Sequence, residues 1–327
     1  SDRIATASGI VVGSYKLNGF IRQTDAMRWA CSLQLVRTLT PPPVLPTLVQ
    51  RLEVSMTTTS SPESRFVEAH GLRLHYLDWG NPEAPPLLLL HGLQDSAALW
   101  STFAESMRDA FHVIALDHRG HGDSPQAKTY RLADYVAEVK ATVEALVLSN
   151  VVLIGHSAGS KNAWMCIANH PGIAAKLVIT DMDPDSFNPG AVAMISRYKD
   201  ETDEYDTFED VMERLRSRQP NASDTELGRD VASLTKLIDG NRYTWKRDRN
   251  VVTQYDRPDV WEHLRKVAVP TLIIRGADST LLRHDVAERM RTAIPDCRLV
   301  EIPHGGHWAH LEYPENYALE VRNFLLS

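Results

Sequence analysis

The residues best suited to chemistry stand in a short Gly-x-Ser-x-Gly sequence, Gly155-His156-Ser157-Ala158-Gly159. It follows an apolar run at 151–154 and precedes a helix-like stretch at 162–168. This placement predicts a strand, a tight turn and a helix, with Ser157 held at the tip of a strained turn. The glycines allow the two elements to approach closely. Free N–H groups and a partial positive charge at the helix start would stabilise an oxyanion. Ser157 is therefore the predicted nucleophile of an acyl-transfer reaction.

An activated serine needs a base and a group that orients that base. His307 follows the apolar run 299–302 and two glycines, which leave the backbone free to direct the ring. Asp278 follows the buried-strand pattern 271–276, at the strand end where sites in open α/β sheets are built. We expect Asp278 to be the acid. Asp181, which ends the pattern 176–180, is the alternative.

Ser157, His307 and either aspartate lie far apart in the sequence, so the fold must contain a sheet that brings these segments together. Alternating residues at 66–68 and 72–79, around His70-Gly71, predict an exposed antiparallel hairpin. Short apolar runs predict strands buried on both faces; they lie at 87–90, 113–116, 151–154, 177–179, 272–274 and 299–302. Helical periodicity occupies 132–148, 285–294 and 313–326. The alternation predicts a mostly parallel sheet with helices on both faces.

Two segments depart from this alternation. Residues 183–258 contain charge-rich helical pieces at 209–218 and 226–237, and we interpret them as an inserted helical cap between core segments 61–182 and 259–327. Residues 1–60 contain a Pro-Pro-Pro sequence and a Thr/Ser run, and we interpret them as an extension outside the fold. Met56 as the natural start is one hypothesis for this extension, and an organelle transit peptide is the other.

The composition of the 327-residue chain narrows its partners and location. Asp plus Glu (42) exceed Lys plus Arg (35), giving a net charge of −7, and the basic residues are scattered, which argues against nucleic acid. Cys31, Cys166 and Cys297 are odd in number and far apart, as expected of reduced thiols in the cytoplasm. No run approaches the roughly 18 apolar residues of a membrane span. We expect a monomer or homodimer.

Residues 65–327 resemble the α/β-hydrolase superfamily through five motifs in the expected order. They are His91-Gly92, Asp117-His118-Arg119-Gly120-His121-Gly122-Asp123-Ser124, the elbow at Ser157, Gly276-Ala277-Asp278 and Gly306-His307-Trp308. Within this superfamily the chain is most similar to small bacterial carboxylesterases with a helical cap, which often carry a lysine after the elbow, as Lys161 does here.

The resemblance implies an α/β-hydrolase fold and further roles. The backbone N–H groups of Leu93 and Ala158 would form the oxyanion hole. His91 would be structural, and the loop 117–124 would lie beside the pocket without a catalytic role. Ser160 departs from the pattern, since the family usually has a second glycine there.

The sequence also gives expectations about a metal site and about the residues of an acyl pocket. His304, His307 and His310 are spaced by three, but Gly305-Gly306 argues against a shared helical face, so no metal site and no cofactor are expected. Apolar residues predicted to line an acyl pocket are Trp100, Met182, Trp245 and Trp308.

The predicted activity is hydrolysis of a small or medium carboxylic ester through an acyl-enzyme. Epoxide hydrolases and haloalkane dehalogenases share the fold but use an aspartate where this chain has Ser157. A carbon–carbon bond hydrolase of aromatic ring-fission products is the alternative, because Trp308 follows His307 as in those enzymes, and lactonases or perhydrolases come next. The non-enzyme alternative is a small-ligand receptor of the same fold, although such receptors usually lose part of the triad.

Overall fold

The computed structural model describes residues 61–327. The predicted extension over 1–60, its two hypotheses and Cys31 lie outside the described residues. Within residues 61–327, no helix combines the length and the apolar character that a bilayer span requires.

An eight-stranded sheet forms the centre of the described chain. Its strands are β1 (Glu63–Ala69), β2 (Leu72–Asp78), β3 (Pro86–Leu90), β4 (His112–Leu116), β5 (Val152–His156), β6 (Lys176–Thr180), β10 (Thr271–Gly276) and β11 (Cys297–Ile302). They lie in the order β1-β2-β4-β3-β5-β6-β10-β11. The pairs β1/β2 and β2/β4 are antiparallel, and all other neighbours are parallel. The predicted hairpin and mostly parallel sheet are confirmed.

The apolar runs are buried on both faces, as their composition predicted. In β3, Leu88 and Leu90 pack into the cluster on one face, whereas Leu87 and Leu89 pack into the cluster on the other. Because side chains alternate along a strand, a continuous leucine run can satisfy both layers at once.

Helices cover both faces of the sheet. One face carries α2 (Leu132–Ala145), α3 (Ala158–Asn169), α8 (Trp261–Leu264) and α9 (His284–Ala293). The other carries α1 (Ser101–Met107) and α11 (Pro314–Leu326). A short helix, α10 (Ala309–Glu312), follows the loop that holds His307.

The insertion predicted to be helical also contains a small sheet. Its elements are α4 (Pro189–Asp200), β7 (Glu204–Tyr205), α5 (Phe208–Arg218), α6 (Asp224–Leu234), β8 (Thr235–Ile238), β9 (Arg242–Trp245) and α7 (Asn250–Thr253). The strands pair antiparallel in the order β7-β9-β8. The helix predicted over 226–237 stops at Leu234, because the next four residues form β8 and pair with β9. Asp239 and Gly240, both at positive φ, turn the chain between these strands.

The strand order decides which loops can meet. β5 leads into Ser157, β6 leads into Asp181, β10 leads toward Asp278 and β11 leads toward His307, and these four strands are consecutive neighbours. Since they are parallel, all four loops leave the same edge of the sheet.

Candidate active site

Ser157 occupies the turn between β5 and α3 in a conformation that L residues rarely adopt, with φ 51° and ψ −122°. Such a backbone costs on the order of 1–3 kcal/mol and persists only where its surroundings enforce it. The Ser157 N–H donates to the Thr180 carbonyl at 2.8 Å, and the first turn of α3 continues from Ser157 O. The strained serine predicted from the sequence is therefore present at the end of a central strand.

Close packing and one side chain hold this turn. A Cβ added at Gly155 would lie 2.3 Å from Ser160 N, and one at Gly159 would lie 2.2 Å from Leu90 O, so neither position tolerates a larger residue. Ser160, where the family usually has glycine, donates its hydroxyl to Gly155 O at 2.6 Å and accepts the Thr180 N–H at 2.9 Å. The Ser160 hydroxyl therefore joins β5 to β6 next to the Ser157 turn.

His307 is oriented by Asp181. The His307 Nδ1 lies 2.8 Å from Asp181 Oδ1, and the Asp181 side chain is fully buried. Asp181 also accepts the Ser279 hydroxyl at 2.6 Å and the Gly276 N–H at 3.0 Å. With the carboxylate as acceptor, His307 Nδ1 carries the proton and Nε2 keeps the lone pair that a general base requires.

The structure does not bring Asp278, the predicted acid, to His307; the alternative, Asp181, contacts His307 instead. A turn from Gly276 O to Ser279 N (3.0 Å) directs Ser279 inward onto Asp181 and leaves Asp278 exposed. The Asp278 N–H bonds to Gly305 O at 2.9 Å, so this backbone supports the His307 loop while its carboxylate faces away. Both aspartates follow neighbouring strands, and only the local turn separates their roles.

The segments carrying Ser157 and His307 are bonded to each other directly. His156, which precedes Ser157, donates from Nε2 to the His307 carbonyl at 2.9 Å, and the two rings lie 4.7 Å apart. On the other side, His156 Nδ1 lies 3.3 Å from Asp95 Oδ2. The position of the His307 backbone is thereby tied to the elbow.

The insertion contributes a buried cation to this network. Arg218, at the end of α5, donates to Asp95 Oδ1 at 2.8 Å, and its guanidinium lies 4.7 Å from the centre of the Trp308 ring. Burial raises the pKa of Asp95, but Arg218 and His156 outweigh that effect and hold it well below its usual range. The sequence pattern did not single out Arg218, because only the tertiary structure brings it near His307.

A cavity lies against the start of α3. Gly92, Leu93 and Ala158 line it, and a Cβ added at Gly92 would lie 3.1 Å from Ser157 Cβ. The interior of the cavity is narrow, with about 20 Å³ open to a water-sized molecule. Its remaining lining residues are His91, His118, His121, Tyr130, Leu132, Tyr135, Lys161, Asn162, Tyr255 and Asp256.

None of the four residues predicted for the acyl pocket lines this cavity. Trp100 packs in the sheet core, 4.9 Å from the His310 ring, and Met182 packs in the core on the opposite face. Trp245 belongs to the apolar cluster of the insertion. The Trp308 ring lies edge-on to the ring of its neighbour His307, with ring centres 4.7 Å apart. Large apolar residues most often build the core, as Trp100, Met182 and Trp245 do.

The histidines considered for metal binding occupy three different environments. His304 is exposed, His307 bonds to Asp181, and His310 stacks on His156 with ring centres 4.2 Å apart. Among residues 61–327, no group of three or more His, Cys, Asp or Glu side chains is arranged to hold a metal ion.

Loop residues near the cavity have mainly structural partners. His91 donates from Nδ1 to Gly92 O at 2.8 Å and accepts the His118 N–H at Nε2 (3.1 Å). Asp117 pairs with His75 at 2.7 Å and accepts the Ala97 N–H at 2.6 Å. His118 and His121 line the cavity, whereas the sequence placed their loop, 117–124, only beside the pocket.

Comparisons with known proteins find hydrolases of similar sequence and fold. The chain is 28% identical over 287 residues (84% of this chain, 93% of the relative) to an sn-1-specific diacylglycerol lipase of Mus musculus. It is 25% identical over 289 residues (84% and 94%) to the 2-hydroxy-6-oxo-6-(2'-aminophenyl)hexa-2,4-dienoic acid hydrolase of Metapseudomonas resinovorans. The crystal structure of E-2-(acetamidomethylene)succinate hydrolase superposes with a TM-score of 0.77 at 25% identity, covering 81% of this chain and all of that one.

The family model described as alpha/beta hydrolase fold matches residues 85–314, which is more than half of the chain and spans all the segments that meet at the site. Fold, strand order and similarity lead to one assignment: the chain belongs to the alpha/beta hydrolase fold family of hydrolases.

Proposed function

We propose that this chain is a serine hydrolase that cleaves small or medium carboxylic esters through an acyl-enzyme. The observation that carries the proposal is the buried bond from His307 to Asp181, on a loop tied to the strained turn that presents Ser157. Nucleophile, base and orienting acid follow the strands β5, β11 and β6 of one sheet edge.

Each side chain has a role in the proposed cycle. His307 Nε2 accepts the Ser157 proton as the hydroxyl attacks the ester carbonyl, and Asp181 stabilises the imidazolium that forms. The N–H groups of Leu93 and Ala158 bind the tetrahedral oxyanion. His307 then donates its proton to the departing alcohol, and water, deprotonated by the same ring, releases the acid. These steps use groups of the chain itself.

The names of the similar proteins support hydrolysis, although they indicate different substrates. The name of the Mus musculus relative specifies a lipase, whose substrate is an ester. Ser157, Asp181 and His307 form the set that acyl transfer requires, whereas a ligand receptor needs no oriented base.

Removal of the nucleophile tests the proposal. Ser157→Ala should lower kcat on p-nitrophenyl butyrate by several orders of magnitude and abolish labelling by a fluorophosphonate. Ser149→Ala, which removes an exposed loop serine, is the matched control and should keep full labelling and turnover. A wild-type chain that remains unlabelled would support the receptor alternative and refute the proposal.

Carbon–carbon bond hydrolysis is the second candidate. Trp308 packs edge-on against His307 at 4.7 Å, and the similar Metapseudomonas resinovorans enzyme acts on a dienoic acid. Steady-state assays with a ring-fission dienone and with simple esters separate the two. Turnover of the dienone at a kcat/KM far above that of any ester would favour the second candidate.

A further inference from the structure

The wall of the cavity beside Ala158 contains polar atoms that lack hydrogen-bond partners. Four of its lining side chains carry a buried polar atom with no hydrogen-bond partner among residues 61–327. These atoms are Lys161 Nζ, Tyr135 Oη, His118 Nδ1 and His121 Nε2. Buried polar groups in native proteins are nearly always hydrogen-bonded, so four unpaired atoms on one cavity wall indicate that a molecule binds there.

Lys161 is the group with the greatest need for a partner. It is 2% exposed, and its ammonium would be expensive to bury without an anion. Asp183, Asp256 and Asp259 act on it only at longer range, and Asp183 is already bonded to Arg257 and Asn188. Burial, together with Arg257, lowers the pKa of Lys161 to about 7. A bound anion would restore its charge.

The Tyr135 hydroxyl, on the same cavity wall as Lys161, can donate to the same anion. His121 uses Nδ1 as donor to Arg119 O at 2.9 Å, so its Nε2 is an acceptor that a carboxylate does not satisfy. The remaining wall is largely apolar, through Leu93 and Leu132. Asp256 also lines the cavity but forms no hydrogen bond with Lys161. The Lys161 ammonium can therefore bind a single negative charge from a ligand, such as one carboxylate.

The cavity lies on the acyl side of the proposed reaction. His307 hands its proton to the departing alcohol, so the alcohol occupies the space near His307 and Trp308. Neither residue lines the cavity, whereas Leu93 and Ala158 do. Lys161 stands four residues after Ser157, about one helical turn and about 6 Å along the axis of α3.

We propose that Lys161 and Tyr135 bind a carboxylate at the far end of the acyl group, so that the preferred substrate is a monoester of a short dicarboxylic acid. This inference rests on the proposed function. The spacing along α3 corresponds to about two to four carbon atoms between the scissile carbonyl and the carboxylate.

Turnover of two matched esters tests the proposal. Monoethyl succinate carries the carboxylate, and ethyl levulinate replaces it with a neutral acetyl group of similar shape. Wild type should prefer monoethyl succinate at least tenfold in kcat/KM, with acid product followed by chromatography. Lys161→Met should reduce this preference at least tenfold. Lys140→Met removes a half-exposed lysine of α2 that pairs with Glu144, and should retain the preference.

Binding without turnover separates this proposal from the proposed ester hydrolysis. Calorimetry on Ser157→Ala should detect monoethyl succinate, and adding Lys161→Met should weaken that binding at least tenfold. Ester hydrolysis with no preference for the charged ester, or binding unchanged by Lys161→Met, would overturn the carboxylate site alone. Binding that depends on Lys161, with neither ester hydrolysed, would instead refute the proposed function and leave the site standing.

Discussion

Replacing Asp181 with asparagine is the sharpest test of the triad. Three donors converge on this carboxylate: His307 Nδ1, the Ser279 hydroxyl and the Gly276 N–H. An asparagine has only one acceptor oxygen, so its NH₂ group must face one side of this arrangement. The Gly276 N–H is fixed in the backbone, whereas the Ser279 hydroxyl can rotate and the His307 ring can change tautomer. The NH₂ group is therefore expected to face His307, which moves the ring proton to Nε2.

That tautomer cannot accept the proton of Ser157. An equivalent change in a Ser-His-Asp enzyme lowers kcat by about 10⁴-fold, which corresponds to about 5 kcal/mol of transition-state stabilisation. We expect a loss of this order for Asp181→Asn, measured as kcat on p-nitrophenyl butyrate. Asp278→Asn, at an exposed position on the neighbouring loop, should stay within about twofold of wild type. Thermal unfolding of both variants checks that the fold survives. A large loss in Asp278→Asn with little loss in Asp181→Asn would refute the reasoning.

Three further predictions concern the support of the site. Ser160→Ala leaves the Thr180 N–H without its acceptor and should lower the free energy of unfolding by about 1–3 kcal/mol in urea titrations; a change below about 0.5 kcal/mol would contradict this. Arg218→Met strands the buried Asp95 carboxylate and should destabilise the chain by about 3–5 kcal/mol, with a lower Tm; an unchanged Tm would show that the pair is dispensable. Burial raises the pKa of Asp230 to about 7, so its contribution to stability is fully present below pH 4 and is lost as the pH rises toward 7. Asp230→Asn should therefore gain stability over wild type across that pH range, and a pH-independent difference between the two would contradict the shift.

Local sequence patterns predicted most of the strands and helices of the main sheet and its two helical layers. The strand runs, the hairpin around His70-Gly71 and the main helices appear within a few residues of their predicted bounds, because period and burial act locally. The small sheet of the insertion was missed. Its Asp239-Gly240 turn was a local hairpin signal, but the helix predicted before that turn was extended to Leu237, over residues that form β8.

The sequence by itself determined where the reacting groups stand along the chain: a serine in a glycine-flanked turn and a histidine past the last strand, each placed by a buried apolar run. Only the tertiary structure decided which aspartate orients that histidine. Asp181 and Asp278 both follow strands of one sheet edge, and hydrogen bonds in the Gly276–Ser279 turn direct one carboxylate inward and expose the other. The cavity wall and the Arg218 contact likewise depend on packing between distant segments, which no local pattern encodes.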